Sequence, residues 1–474
     1  MRTKMDTEYY LSAFDTSKEN LEKLVSEALK HGGDWCDLFF ENTVNGNIAL
    51  RDGIVSDGGF NVDYGAGIRV LNGEKTGYAY SENTDMKSMA AAARAASAIA
   101  AGSADIPPVN AGSMNILPHG DRYQMLKDWQ LGECKIFLER LQDKIFVKDS
   151  RIAKVLAGVF YTITDVLMYN STGEMTCDTR PYGTAYASAV FMQDGKLETK
   201  SVSRSYMKGG EMLSEALADE IAAEVVKGID DRFAAKRPKG GQMPVVMGAG
   251  ASGILLHEAM GHAFEADFNR KGQSIFSDKM GQKICDGSIT IVDDGTIPGN
   301  RGAVNFDDEG VRGQRTQMVT NGVLTSYLHD RISAKYYGVA PTGNGRREGF
   351  RFNPIPRMRA TYMESGDARK EEIIASVKNG IYVDEFTNGQ VKIGEGDFTF
   401  FVNCGYLIEN GKLTQPIKDI NVIGNGPKAL ADIIAIGNDL KIDEGSWTCG
   451  KGQSCPVSCG IPTVLVKNLT VGGE

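Results

Sequence analysis

The hydrophobic and polar positions divide the chain into three blocks. Residues 16 to 31 predict an amphipathic helix, because Leu21, Leu24, Val25, Ala28 and Leu29 keep helical spacing and Gly32-Gly33 follow. Strand patterns come next. Asp34 to Val44 is expected to turn at Asn45-Gly46 into Asn47 to Arg51, and Asn61 to Leu71 to turn at Asn72-Gly73 into Lys75 to Ser81. The Ala-rich run Asp85 to Ala101 predicts a helix capped by Thr84 or Asp85. This block ends near Ile106-Pro107-Pro108.

A second block predicts a helix over Leu131 to Ile145, two strands within Ala153 to Tyr169, strands at Ala185 to Met192 and Thr199 to Met207, and a helix over Glu211 to Lys227. Arg237-Pro238-Lys239-Gly240-Gly241 reads as a linker. Beyond it lie short β runs and glycine turns, with strands at Ile289 to Val292 and Phe398 to Val402 and one helix over Lys428 to Ile436. The expectation is an α+β protein. N-terminal (1–104) and central (105–240) α/β segments precede a β-rich C-terminal domain (241–474).

Composition narrows the function. At 474 residues the chain is too long for one core. Hydrophobic residues make up 42% and charged residues 24%, as in soluble globular proteins. The net charge of −9 disfavours direct nucleic-acid binding. No long uncharged apolar run predicts a membrane span, and no apolar run near the start predicts export. Eight cysteines without a compact spacing fit reduced thiols, so a cytoplasmic location is expected.

The chemistry concentrates in one stretch. Two of five histidines, His257 and His262, stand five residues apart after Gly248-Ala249-Gly250-Ala251-Ser252-Gly253, with Glu258 beside the first. Imidazoles and a carboxylate this close suggest a metal site with its own general base. In a regular helix the two histidines would diverge by roughly 140°. A π-type turn brings i and i+5 together, so a bulge or break within Ala259 to His262 is predicted, with Gly261 permitting it. Catalytic zinc needs about three protein ligands. The C-terminal run Trp447 to Gly460 offers thiolates in Cys449, Cys455 and Cys459, with Cys449 before a flexible Gly-x-Gly, and Glu265 and Asp267 offer oxygens. The glycines also spell G-x-G-x-x-G, but no acidic residue ends a second strand about 20 residues on, as a dinucleotide site requires. An NAD-dependent oxidoreductase is therefore disfavoured.

The segment His257-Glu258-Ala259-Met260-Gly261-His262 through Lys271 resembles the signature of the TldD/PmbA family, in its catalytic TldD branch. Matching stretches are Phe306 to Gly310, Gly345 to Gly349, Asn353 to Arg359, Ile423 to Pro427 and Cys449 to Gln453. The resemblance is dense from about residue 240 onward and colinear before it. It implies a cytoplasmic zinc metallopeptidase acting on small or unfolded peptides, with a C-terminal metallopeptidase domain. It implies His257, His262 and Cys449 as Zn2+ ligands and Glu258 as catalytic base. It also implies pairing with a PmbA-type homologous subunit, or else a homodimer. Family members often carry the label modulator of DNA gyrase. The competing reading is a non-catalytic protein that binds peptides or a partner. Cys455 and Cys459 read as thiols without a metal role. Asp307-Asp308-Glu309 reads as a ligand site or a solvated acidic turn, and Arg346, Arg347, Arg357 and Arg359 as structural ion pairs or a carboxylate site.

Overall fold

Four strands of unusual length frame the first half: Trp35–Arg51, Ile54–Asn72, Ile152–Asn170 and Glu174–Gln193, with 17 to 20 residues each. At about 3.3 Å per residue they run roughly 55–65 Å. The computed structural model describes residues 6–100, 114–118, 120–392 and 395–473. The expected boundary at 104/105, the Ile106-Pro107-Pro108 run, Ala101 and His119 lie outside the described residues.

The long strands belong to one antiparallel sheet that joins the N-terminal and central segments. Lys75–Ser81 flanks Ile54–Asn72, then come Trp35–Arg51, Ile152–Asn170 and Glu174–Gln193, with Lys196–Tyr206 paired to the last. Alternation sorts the two faces. Cys36, Leu38 and Phe40 pack under the helices Thr7–Ala13, Lys18–Ala28 and Met86–Ser97. Further along the same face, Ile48 and Leu50 pack under Leu131–Phe146 and Glu215–Val226. Phe39, Val166 and Met168 point the other way and meet Phe306 and Phe350 of the C-terminal body.

The helices start where polar caps stand. Ser17 accepts from the Asn20 amide, and Asp85 from the amides of Lys87 and Ser88. Four expectations need correction. The strand Trp35–Arg51 runs straight through Asn45-Gly46, and the turn falls at Asp52-Gly53, both at positive φ. Gly46 is there because Tyr161 crosses it: a β-carbon would sit 2.2 Å from the ring. Ala153 to Tyr169 forms one strand rather than two. Glu211 to Lys227 begins as a short 3-10 turn, Gly210–Met212, before the helix Glu215–Val226. The helix expected over Lys428 to Ile436 stops at Ala431, and Ile433–Ile436 pairs as a strand with Val464–Val471.

The C-terminal body is built on a closed barrel. Gly241–Met247, Asn379–Lys392, Asp397–Glu409, Ile420–Asn425 and Val464–Val471 pair in a complete circuit. A second sheet contains Ile291–Asp294, Ala360–Met363 and Ser458–Ile461. Buried charges fix this body to the long sheet. Arg69 is fully buried and pairs with Asp37 at 2.5 Å and Glu309 at 2.7 Å. Arg180 pairs with Asp308 at 2.5 Å. The acidic run Asp307-Asp308-Glu309 is thus not a solvated turn; it is buried and clamps the two halves together. No helix among the described residues is long and apolar enough to cross a membrane.

Candidate metal centre

The strand Gly241–Met247 leads into a short helical path with three pitches. Ala251–Gly253 is a 3-10 turn, Leu256–Met260 is a π turn, and Gly261–Phe264 is 3-10 again. The backbone breaks at Met260, where φ is −133°. Leu255, Leu256, Met260 and Phe264 anchor this path in the main C-terminal core. The wide turn brings the imidazoles of His257 and His262 together, with ring centroids 5.3 Å apart. Gly261 has an ordinary helical φ of −60°. Its role is clearance, because a β-carbon would lie 2.1 Å from Met358 Sδ. Gly253 likewise lets the backbone of Gly460 approach, where a β-carbon would meet it at 2.5 Å.

Cys449 arrives from the far end of the chain on a two-stranded ribbon, Thr448–Gly450 against Ser454–Pro456. Its Sγ lies 3.2 Å from His262 Nε2. Ligand atoms of His257, His262 and Cys449 all lie within 4.8 Å of one another, and all three residues are buried. Neither ring nitrogen of His257 has a hydrogen-bond partner among the described residues. Two bare nitrogens in a dry site are costly unless something binds them. Burial would raise the Cys449 thiol, but the adjacent imidazoles of His257 and His262 bring it down to about 4. Two imidazoles facing a thiolate suit zinc, whose N and S ligands lie about 2.0–2.3 Å away and so about 3.5 Å from one another.

Other buried side chains hold these three in their orientation. Glu265, fully buried, contacts His262 Nδ1 at 2.8 Å and leaves Nε2 aimed at Cys449. Burial works to lower the basicity of His262, and Glu265 and Cys449 outweigh it and raise it. Lys451 reaches Glu265 at 3.0 Å and Asp267 at 2.7 Å. The two oxygen alternatives therefore do not join the cluster: Glu265 orients a histidine, and Asp267 binds a lysine. Arg357 donates to the carbonyls of Cys449 at 2.6 Å and Gln453 at 2.8 Å, which pins the ribbon. The sequence pattern did not single out Lys451 or Arg357 for these contacts; both sit in motif stretches, but spacing does not show where they fold back.

Glu258, next to His257, is half-buried, and its carboxylate has no hydrogen bond or ion pair among the described residues. Cys455 faces Cys449 across the ribbon. Burial raises its thiol, which is neutral and lies 3.5 Å from an Arg357 nitrogen. Burial raises Cys459 still further, with help from Asp443 and Glu258. His329 is buried away from the cluster among Tyr327 and Tyr337, and burial lowers it to about 4.

Comparison with known proteins matches this layout along the chain. Residues 36–100 match PmbA/TldA metallopeptidase domain 1, residues 126–230 the central domain, and residues 240–473 the C-terminal domain. The "Metalloprotease TldD homolog" of Haemophilus influenzae is 37% identical over 449 residues, covering 93% of each chain. The "Zinc metalloprotease TldD homolog" of Saccharolobus solfataricus is 34% identical over 257 residues, 54% of this chain and 57% of that one. TldE from Thermococcus kodakarensis has the same fold, with a TM-score of 0.74 at 18% identity over 96% of this chain and 100% of that one. The chain belongs to the TldD/PmbA metallopeptidase family.

Proposed function

We propose that the protein is a zinc peptidase that hydrolyses small or unfolded peptides, with His257, His262 and Cys449 holding the metal and Glu258 acting as base. The observation that carries this reading is the convergence of two imidazoles and a thiolate beside an unpaired glutamate. Bound zinc would supply Lewis acidity to a water and to the scissile carbonyl. Glu258 takes the proton of the attacking water and passes it to the leaving amine. Its lack of a partner keeps it available for both transfers. Glu265 keeps the His262 ring in one tautomer with Nε2 free to ligate. A purely peptide-binding protein would have no need of a carboxylate at position 258.

Pairing with a PmbA-type subunit or with a second copy, and a cytoplasmic location, belong to the same reading and rest on family resemblance. Glu258→Gln separates catalysis from binding. The variant should keep about one zinc per chain and lose peptide cleavage. Undiminished cleavage would reject Glu258 as base. A wild-type protein that binds peptide but contains no zinc and cleaves nothing would favour the binding reading.

A further inference from the structure

The face of the long sheet opposite the helices does not pack flush against the C-terminal body. Between them lies a cavity of about 500 Å³. Six arginines line it: Arg180, Arg301, Arg346, Arg347, Arg351 and Arg359. Four carboxylates share the wall, Glu41, Asp63, Asp308 and Glu348.

Three of the arginines are matched. Arg180 pairs with Asp308 at 2.5 Å, Arg347 with Asp37 at 3.3 Å, and Arg351 with Asp63 at 2.7 Å. Arg301, Arg346 and Arg359 form no ion pair among the described residues. Arg346 donates to the carbonyls of Met358 at 2.6 Å and Pro456 at 2.7 Å. Arg301 donates to the carbonyl of Trp447 at 2.9 Å and to the hydroxyls of Ser205 and Thr448, so it is held by neutral acceptors only, and it packs over Tyr182. Arg359 is 4% exposed and uses only Nε, toward the Gly343 carbonyl. Both of its terminal nitrogens are without a hydrogen bond among the described residues, and its side chain lines the cavity.

The remaining acids are engaged elsewhere and form no ion pair with these three arginines. Asp307, whose field reaches Arg359, has its oxygens on the amides of Glu309, Val311 and Gly345. Glu348 accepts from the Ser454 amide. Burial pushes Glu41 up to about 7, so it carries only part of a charge at neutrality. Burial and the neighbouring Arg346 push Arg359 down to about 10, as expected for a cation without a counter-ion. Unpaired buried charge is costly, so the cavity is suited to an anion. A planar guanidinium fork fits a carboxylate in particular.

The position of the cavity suggests which carboxylate. Arg346 holds Pro456, one residue beyond Cys455, and Cys455 is the ladder partner of Cys449. The cationic wall thus adjoins the ribbon that carries the proposed ligand. We propose that this cavity binds the free α-carboxylate at the C-terminal end of the peptide substrate through Arg301, Arg346 and Arg359, so that cleavage is counted from that end. The inference deepens the peptidase reading and rests on it for the nature of the ligand.

The test is a binding measurement on zinc-loaded Glu258→Gln protein, using one N-terminally dansylated pentapeptide as free acid and as C-terminal amide. The acid should bind about 10- to 100-fold tighter than the amide, the range of a hydrogen-bonded charge. Arg359→Met should remove most of that difference without weakening the amide. Arg301→Met, at a half-buried position, should narrow it too, which guards against a folding defect in the first variant. Equal affinity for acid and amide, or binding of neither, overturns the proposal. So does stabilisation by acetate alone while acid and amide bind alike, because the cavity would then hold a free anion. Acid preference with no cleavage by the wild-type protein would instead count against the peptidase reading.

Discussion

Glu265 stands 2.8 Å from Nδ1 of His262, on the side of the ring away from Cys449. This carboxylate fixes which imidazole nitrogen can bind a metal. Glu265→Gln should weaken zinc binding by about 10- to 100-fold, the usual effect of losing such a partner. Competition with a chromogenic chelator reads this directly. Unchanged affinity would mean that packing alone orients the ring.

The two thiols of the ribbon should behave differently. Cys449→Ser should lower zinc content from about one per chain to near none. Cys455→Ser should leave it unchanged, because the Cys455 thiol is neutral and turned toward Arg357. Metal analysis of both purified variants would reverse the assignment if the second, not the first, lost zinc.

Gly261 has no room for a side chain. Gly261→Ala sets a methyl group against Met358 Sδ and should destabilise the protein by about 1–3 kcal/mol. Met358→Ala should relieve part of that clash. Urea denaturation of both single variants and the double variant should therefore show a coupling of about 0.5–3 kcal/mol. Strict additivity would place the strain elsewhere.

Glu41 makes stability depend on pH. Burial raises its carboxyl from 4.5 to about 7, so the folded protein holds the proton more tightly than the unfolded chain. Its stabilising effect is complete below about pH 4.5 and is lost as pH rises through about 7, to a limit of about 3 kcal/mol. Glu41→Gln removes the titration. Relative to wild type, this variant should gain melting temperature between pH 5 and pH 8. An identical pH profile for the two would refute the assignment.

Much of the layout was legible from local rules. Asp85 and Ser17 mark helix starts because a short polar side chain satisfies the free amides there. The extra residue between His257 and His262 called for a wide turn, and the π turn Leu256–Met260 lies there, followed by the break at Met260. What failed was long-range. Asn45-Gly46 has the residues of a turn, but Tyr161, more than a hundred positions away, requires that glycine inside a strand. Ile433 to Ile436 has helical neighbours, yet Val464–Val471 offers it a ladder. Asp307-Asp308-Glu309 looks like an exposed acidic turn until Arg69 and Arg180 arrive from another block. Spacing could not choose Cys449 over Cys455 or Cys459 either. That choice came from family resemblance, and the fold brings the thiol to the histidines.

Cys449 follows His262 by 187 residues. On a ribosome adding about 5–20 residues per second, that interval is about 10–40 s. For that time the chain exists with both histidines made and the thiolate still missing. The barrel too stays open, since its closing strand Val464–Val471 is made later still. The three side chains of the candidate metal centre are therefore all present only after the four long strands have been made.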